Sequence, residues 1–231
     1  MDVAEFDKFA EEYRSAHAQN IKISGEEPDY FARYKIDELR RRWDGLKRPE
    51  PAVVLDFGTG IGNSLPYLKA AFPGARLIGL DVSERSLAVA AQRFPDIAEL
   101  VRYDGGEPPL AAGSFDLIFS ACVFHHIEAD EHVALLASLR RLLRPGGVLA
   151  IFEHNPVNPV TRYIVATCPF DENAVLIPAP VFAARQRAAG FAKVSAAFTG
   201  FFPGSLKALR PLERYMTALP LGAQYYTLAQ G

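Results

Sequence analysis

The chain has 231 residues, 49% of them hydrophobic, which is enough to bury one substantial core. Its 25 lysines and arginines stand against 27 aspartates and glutamates, so the net charge of -2 offers no positive field to gather nucleic acid or an anionic membrane from a distance. Cys122 and Cys168 are too few for a disulfide framework, the opening Met1-Asp2-Val3-Ala4-Glu5 is neither basic nor apolar, and no stretch approaches the roughly 18–20 apolar residues of a membrane span, so a cytoplasmic protein with free thiols is expected.

In chain order, Val3, Phe6, Phe9, Ala10 and Tyr13 fall at helical spacing, a break follows at Ser24-Gly25, and a second helical stretch starts at Pro28. Residues 1–48 therefore read as a helical preface to one main domain, 49–231. After Pro49-Glu50-Pro51 the texture changes to short apolar runs at 53–57, 77–80, 115–120 and 148–152, separated by helical segments. Strands alternating with helices predict an α/β domain, a doubly wound, mostly parallel sheet with helices on both faces. Ser83-Glu84 opens one helix that Phe94-Pro95 closes, and Arg144-Pro145-Gly146-Gly147 stops another that runs from about 129. Beyond Pro178 come a helix to about 190, a strand at 192–199, a helical insert at about 201–220 and a last strand at 224–228.

The most informative stretch is Val53-Val54-Leu55-Asp56-Phe57-Gly58-Thr59-Gly60-Ile61-Gly62-Asn63-Ser64, a buried strand that runs into a turn with glycine at every second position. Such a turn brings bare backbone against a ligand, and the following helix presents free amide groups to it. Asp81 closes the next strand, where a carboxylate in this architecture accepts hydrogen bonds from ribose hydroxyls.

Asp56-Phe57-Gly58-Thr59-Gly60-Ile61-Gly62 resembles the first motif of the class I S-adenosylmethionine-dependent methyltransferases, and Asp81-Val82 resembles their second-strand motif. Tyr103-Asp104 matches the place that holds the adenine. Phe115-Asp116-Leu117-Ile118-Phe119-Ser120-Ala121 and Leu143-Arg144-Pro145-Gly146-Gly147-Val148-Leu149 resemble the fourth-strand motif and the approach to the fifth, so the likeness covers about 53–155. It implies a seven-stranded sheet with an antiparallel last strand, binding of S-adenosylmethionine and release of S-adenosylhomocysteine. Asp56, Gly58 and Gly60 would surround the methionine part, Asp81 the ribose, and Val82 and Asp104 the adenine, with Thr59, Gly62 and Ala121, at the fourth strand's end, also among the cofactor-binding residues. The implied activity is methylation of a small molecule such as a sugar, quinone, lipid precursor or other metabolite. A nicotinamide-dependent dehydrogenase is the competing reading, but its fingerprint asks for Gly or Ala where this chain has Asn63 and does not ask for Asp56. A cofactor-binding relative without turnover is the other.

Strand ends on the carboxyl side of such a sheet face the ligand crevice, which singles out His125 and His126 after the fourth strand, and Glu153 and His154 after the fifth. The three histidines are candidate bases for an acceptor hydroxyl or nitrogen, and Glu153 a candidate acceptor contact. No metal site is expected, because adjacent histidines on an irregular turn do not readily converge on one ion and no third ligand stands at useful spacing. In the preface, Tyr13, His17, Tyr30, Phe31, Tyr34 and Lys35 form an aromatic and polar group suited to a lid that contacts the acceptor. In the insert, Leu206, Leu209, Leu212, Tyr215, Met216 and Leu219 lie near helical spacing with Lys207, Arg210 and Arg214 between them. Such a helix can lie on a membrane surface, but packing against the last two strands, or against a second subunit, is the expected arrangement, in a protein expected to be a monomer or homodimer.

Overall fold

Short apolar runs bounded by glycine, proline or serine become strands here, and the two-residue period along them divides the core into two layers. The computed structural model describes residues 25–169 and 171–231. Seven strands, β1 Val53–Phe57, β2 Arg76–Asp81, β3 Glu99–Arg102, β4 Phe115–Ala121, β5 Leu143–His154, β6 Lys193–Thr199 and β7 Gln224–Gln230, form one sheet in the order β3-β2-β1-β4-β5-β7-β6. β1 to β5 pair in parallel, and β7 runs antiparallel to β5 and β6. This is the doubly wound sheet that the alternation predicts, with the antiparallel last strand that the family likeness implies.

Leu55, Phe57, Ile118, Leu149 and Ile151 point to one face, under α4 (His132–Leu142) and α6 (Ala179–Ala188), which contribute Leu136, Leu139 and Phe182. Val54, Leu117, Phe119, Ala150 and Phe152 point to the other, under α1 (Pro28–Gly45) and α2 (Leu65–Ala71), which contribute Ile36, Leu39, Trp43 and Leu68. The half of the preface that the structure describes is thus a core layer. Residues 1–24, with Tyr13 and His17, lie outside the described residues.

Helix ends follow local chemistry. The Ser83 hydroxyl accepts from the Ser86 amide at 3.0 Å and opens α3 (Glu84–Arg93); the Asn158 side chain accepts from the Thr161 amide at 3.0 Å and opens α5 (Pro159–Ala166). Two elements are weakly marked in the sequence. β3 is a four-residue edge strand held by β2 alone and only half-buried, and α5 is short. The 201–220 insert departs from the expected α-helix. Gly204–Tyr215 winds as 3-10 turns, with a break at Leu206 and Pro211 inside. Its Leu206, Leu209, Leu212 and Tyr215 are exposed, and the buried residue is Glu213. The expected packing of that apolar side on the last strands is therefore not found among the described residues.

The sheet order reverses between β1 and β4, and in such sheets the crevice beyond the carboxyl ends of these strands is the ligand site. The loop after β1, the turn after β4 and the end of β5 all meet there.

Candidate active site

Gly58, Gly60 and Gly62 all adopt left-handed backbone angles, with φ of +74°, +51° and +79°. At Gly58 a side chain is also excluded by space, because an added methyl carbon would lie 2.3 Å from Val123 Cγ2. The turn after β4 is thereby seated directly on the glycine loop. An added carbon at Gly60 would meet nothing within 4 Å, so that stretch of backbone borders open space. The loop is tied down from below: the Gly58 and Thr59 amides both donate to the Leu80 carbonyl, at 2.8 and 3.1 Å. Asn63 accepts from Arg93 at 2.7 Å and anchors the far side to α3.

Asp81 accepts from the Gly60 amide at 2.7 Å through Oδ2 and from the Ser83 amide at 2.9 Å through Oδ1. A carboxylate held in this way at the end of β2 stands where a ligand's ribose hydroxyls would be met in such a sheet. Asp56 is buried beneath the loop, where its Oδ2 accepts from the Thr59 hydroxyl at 2.7 Å. Burial pushes its carboxyl up to about 7, helped by the charge of Asp81 and opposed by the Thr59 bond. Val82 packs into the core beside these groups, while Asp104 is exposed and accepts from the Gly106 amide at 3.0 Å. Ala121 sits half-buried at the end of β4. Asp116 of the fourth-strand motif is a clasp: it takes the Ala52 and Val53 amides and both its oxygens lie 2.8 Å from Arg144.

Beyond β4 the chain enters a left-handed conformation at Cys122, with φ of +59°, and then a 3-10 turn, Phe124–His126. His125 is fully buried. Its Nδ1 lies 2.6 Å from Glu153 Oε2, and Glu153 Oε1 accepts from the Val123 and Phe124 amides at 3.1 and 2.8 Å. Glu153, expected to touch an acceptor, is instead a buried positioning residue whose two oxygens are taken up inside the fold. The Nε2 atoms of His125 and His126 each lie 3.4 Å from Asp171 Oδ1, on the loop before α6. The expectation that no third ligand stands near the histidine pair is thus corrected, because the fold returns Asp171 to it from far along the sequence.

Burial alone would favour neutral His125, but the facing Glu153 and Asp171 carboxylates reverse that and raise it to about 10. Burial likewise opposes ionisation of Glu153, and His125 overrides it, holding Glu153 below the usual carboxylate range. An imidazole so held is a poor proton acceptor. The ring of His154 lies 5.2 Å from that of His125.

Two groups that the sequence did not mark as reactive stand here. The Lys35 ammonium, on α1, is buried and donates to Cys122 Sγ at 3.6 Å; Gln224 Nε2 approaches the same sulfur at 3.8 Å. Burial raises the Cys122 thiol, but Lys35 and His154 outweigh it and bring it down to about 7. The preface tyrosines have other work. The Tyr34 hydroxyl donates to Glu213 Oε2 at 2.9 Å, accepts from the Gly200 amide at 2.7 Å and touches the Thr199 hydroxyl, which leaves no capacity for a substrate. Tyr30 lies stacked on Tyr34, with the Arg210 guanidinium 4.4 Å above its ring and Arg210 paired with Glu26. These residues bind α1 to the insert.

Residues 54–147, which carry the glycine loop, Asp81 and the turn after β4, match the family model of the methyltransferase domain. That segment resembles a methyltransferase domain, and the sheet as a whole has the fold of S-adenosylmethionine-dependent methyltransferases. Trans-aconitate 2-methyltransferase of Acidovorax sp. (strain JS42) is 36% identical over 128 residues, 54% of this chain and 48% of that protein. Malonyl-[acyl-carrier protein] O-methyltransferase of Methylococcus capsulatus is 40% identical over 104 residues, 44% of this chain and 37% of that one. The chain thus spans about half or less of the length of these relatives. A solved S-adenosylmethionine-dependent methyltransferase of Thermotoga maritima shares the fold with a TM-score of 0.68 at 19% identity, covering 98% of both chains. Within this methyltransferase fold no described helix is long and apolar enough to cross a membrane.

Proposed function

We propose that the protein transfers a methyl group from S-adenosylmethionine to a small acceptor that carries a carboxylate. The observation that carries the first half is the loop itself: three left-handed glycines, open space over Gly60, and Asp81 fixed by backbone amides at the end of β2. Asp56, Gly58, Thr59, Gly60 and Gly62 fit the methionine part of the donor, Asp81 its ribose, and Val82, Asp104 and Ala121 the rest of the cradle. When bound, the donor would supply a methyl carbon already activated by its sulfonium. The chain then has to align the acceptor, exclude water and leave no bulky group in the line of approach.

The carboxylate half rests on Lys35. Among the described residues its ammonium meets a sulfur and no carboxylate, and a buried cation so placed favours an anionic ligand. Two relatives whose names specify trans-aconitate and malonyl-[acyl-carrier protein] support the same class. A carboxylate is already ionised at neutral pH, so the chain needs no base for it. His154 would serve a hydroxyl or amine acceptor instead. The test is methyl transfer from labelled donor across a panel of small carboxylic acids, alcohols and amines. Turnover on an acid, with Lys35→Gln raising KM at least about tenfold and changing kcat less, supports the reading. Turnover confined to amines or alcohols overturns the carboxylate, and absence of any turnover supports a silent relative.

A further inference from the structure

Three metal-ligating atoms converge beside the crevice without a part in the proposed transfer: Nε2 of His125, Nε2 of His126 and Oδ1 of Asp171, all within 4.8 Å of one another. Both nitrogens lie 3.4 Å from the one oxygen. That is longer than an ordinary hydrogen bond, and His125 Nε2, although buried, makes none. The two nitrogen–oxygen edges do match those of an ion's coordination sphere. Ligands bonded at about 2.0–2.1 Å in a tetrahedron stand about 3.3–3.4 Å apart along its edges. The two imidazole rings are 4.2 Å apart between centres and tilted by 46°, so adjacency in sequence does not prevent their nitrogens from facing one carboxylate.

The surroundings support the same reading. Metal-bound histidines regularly give their second nitrogen to a carboxylate, which fixes the tautomer and leaves the first bare toward the ion. His125 Nδ1 is 2.6 Å from Glu153, and Glu153 is itself fixed by two backbone amides. Two carboxylates, Glu153 and Asp171, bracket this small buried region, and a divalent cation would balance them. The three ligands come from two separate pieces of chain, the 3-10 turn after β4 and the loop before α6.

We propose that His125, His126 and Asp171 form a binding site for a divalent transition-metal ion of zinc type, which staples the loop before α6 to the turn that packs on Gly58. Three protein ligands leave a fourth position for water or another small ligand.

The proposal does not rest on methyl transfer, and its test contains neither donor nor acceptor. Untagged full-length protein is stripped with chelator and titrated calorimetrically with Zn²⁺ alone. One equivalent is expected to bind, with affinity falling at least about tenfold in His126→Ala and in Asp171→Asn, and by about 10–100-fold in Glu153→Gln. His126 and Asp171 lie at the partly exposed rim, so their variants are expected to fold, and far-ultraviolet circular dichroism checks this. Cobalt(II) gives a second reading, as visible bands of a tetrahedral ion that disappear in His126→Ala. Absence of Zn²⁺ binding in the wild type, or equal binding in both rim variants, would overturn the site and leave an ion pair of histidine with aspartate.

Discussion

The glycine loop after β1 and the insert at Gly204–Tyr215 carry equally plain sequence patterns, and only the first folds as its pattern suggests. Alternating glycines specify backbone angles that few residues tolerate, and the loop adopts them without reference to any partner. Spaced leucines specify only that an apolar surface should be covered. In the insert that demand is outweighed by Glu213, whose carboxylate turns inward, accepts from the Phe201 and Phe202 amides at 3.1 and 3.0 Å and receives the Tyr34 hydroxyl. The acid is buried and the leucines face out, the reverse of the expected helix.

Four experiments break or sharpen this contrast. The largest effect is expected in the loop. Asp81→Ala frees the Gly60 and Ser83 amides and removes the ribose acceptor, so affinity for the methyl donor should fall by at least about 100-fold, near 3 kcal/mol, in calorimetry. Retained affinity would mean that the loop holds something else. Next, Glu213→Ala leaves two backbone amides and the Tyr34 hydroxyl short of an acceptor. Urea unfolding should register a loss of about 2 kcal/mol, and an unchanged midpoint would show that the buried acid does not organise the insert.

Smaller again is the pH dependence set by Asp56. Its folded value of about 7 lies above its ordinary 3.8, so the stability linked to its proton is complete below about pH 4 and is lost as the pH climbs through 7. Unfolding free energy should therefore decline across that window in the wild type, and Asp56→Asn should remove that part of the decline; an identical slope in both would contradict the burial argument. The smallest change is expected for Leu209→Ser, 40% exposed, which should shift stability by no more than about 0.5 kcal/mol. A loss of about 2 kcal/mol would reveal that this face is covered after all.

What could be read in advance follows the same division. β1, β2, β4, β5 and β7 were legible because buried runs of this length admit little else, and Ser83 announced its helix by chemistry alone. Glu99-Leu100-Val101-Arg102 gave no such signal, since an edge strand half in water needs no apolar run. At the site, Asp56, Gly58, Gly60 and Asp81 were visible because their spacing is local. Asp171 was not: its partners are brought to it by the path of α5 and its following loop, which spacing cannot encode. The same holds for Lys35 and Cys122, joined across the crevice from α1 to the end of β4. Glu153 was legible as a position but not in its partners, because a strand's end says where a side chain starts and not which amides it will meet.

The central claim is that a bare backbone loop and two carboxylates hold an adenosyl amino acid. Calorimetry on protein freed of bound ligand tests it directly, with S-adenosylmethionine and S-adenosylhomocysteine titrated separately. One site for each, lost together in Asp81→Ala, is the result expected; no heat of binding from either compound in a folded sample would contradict it.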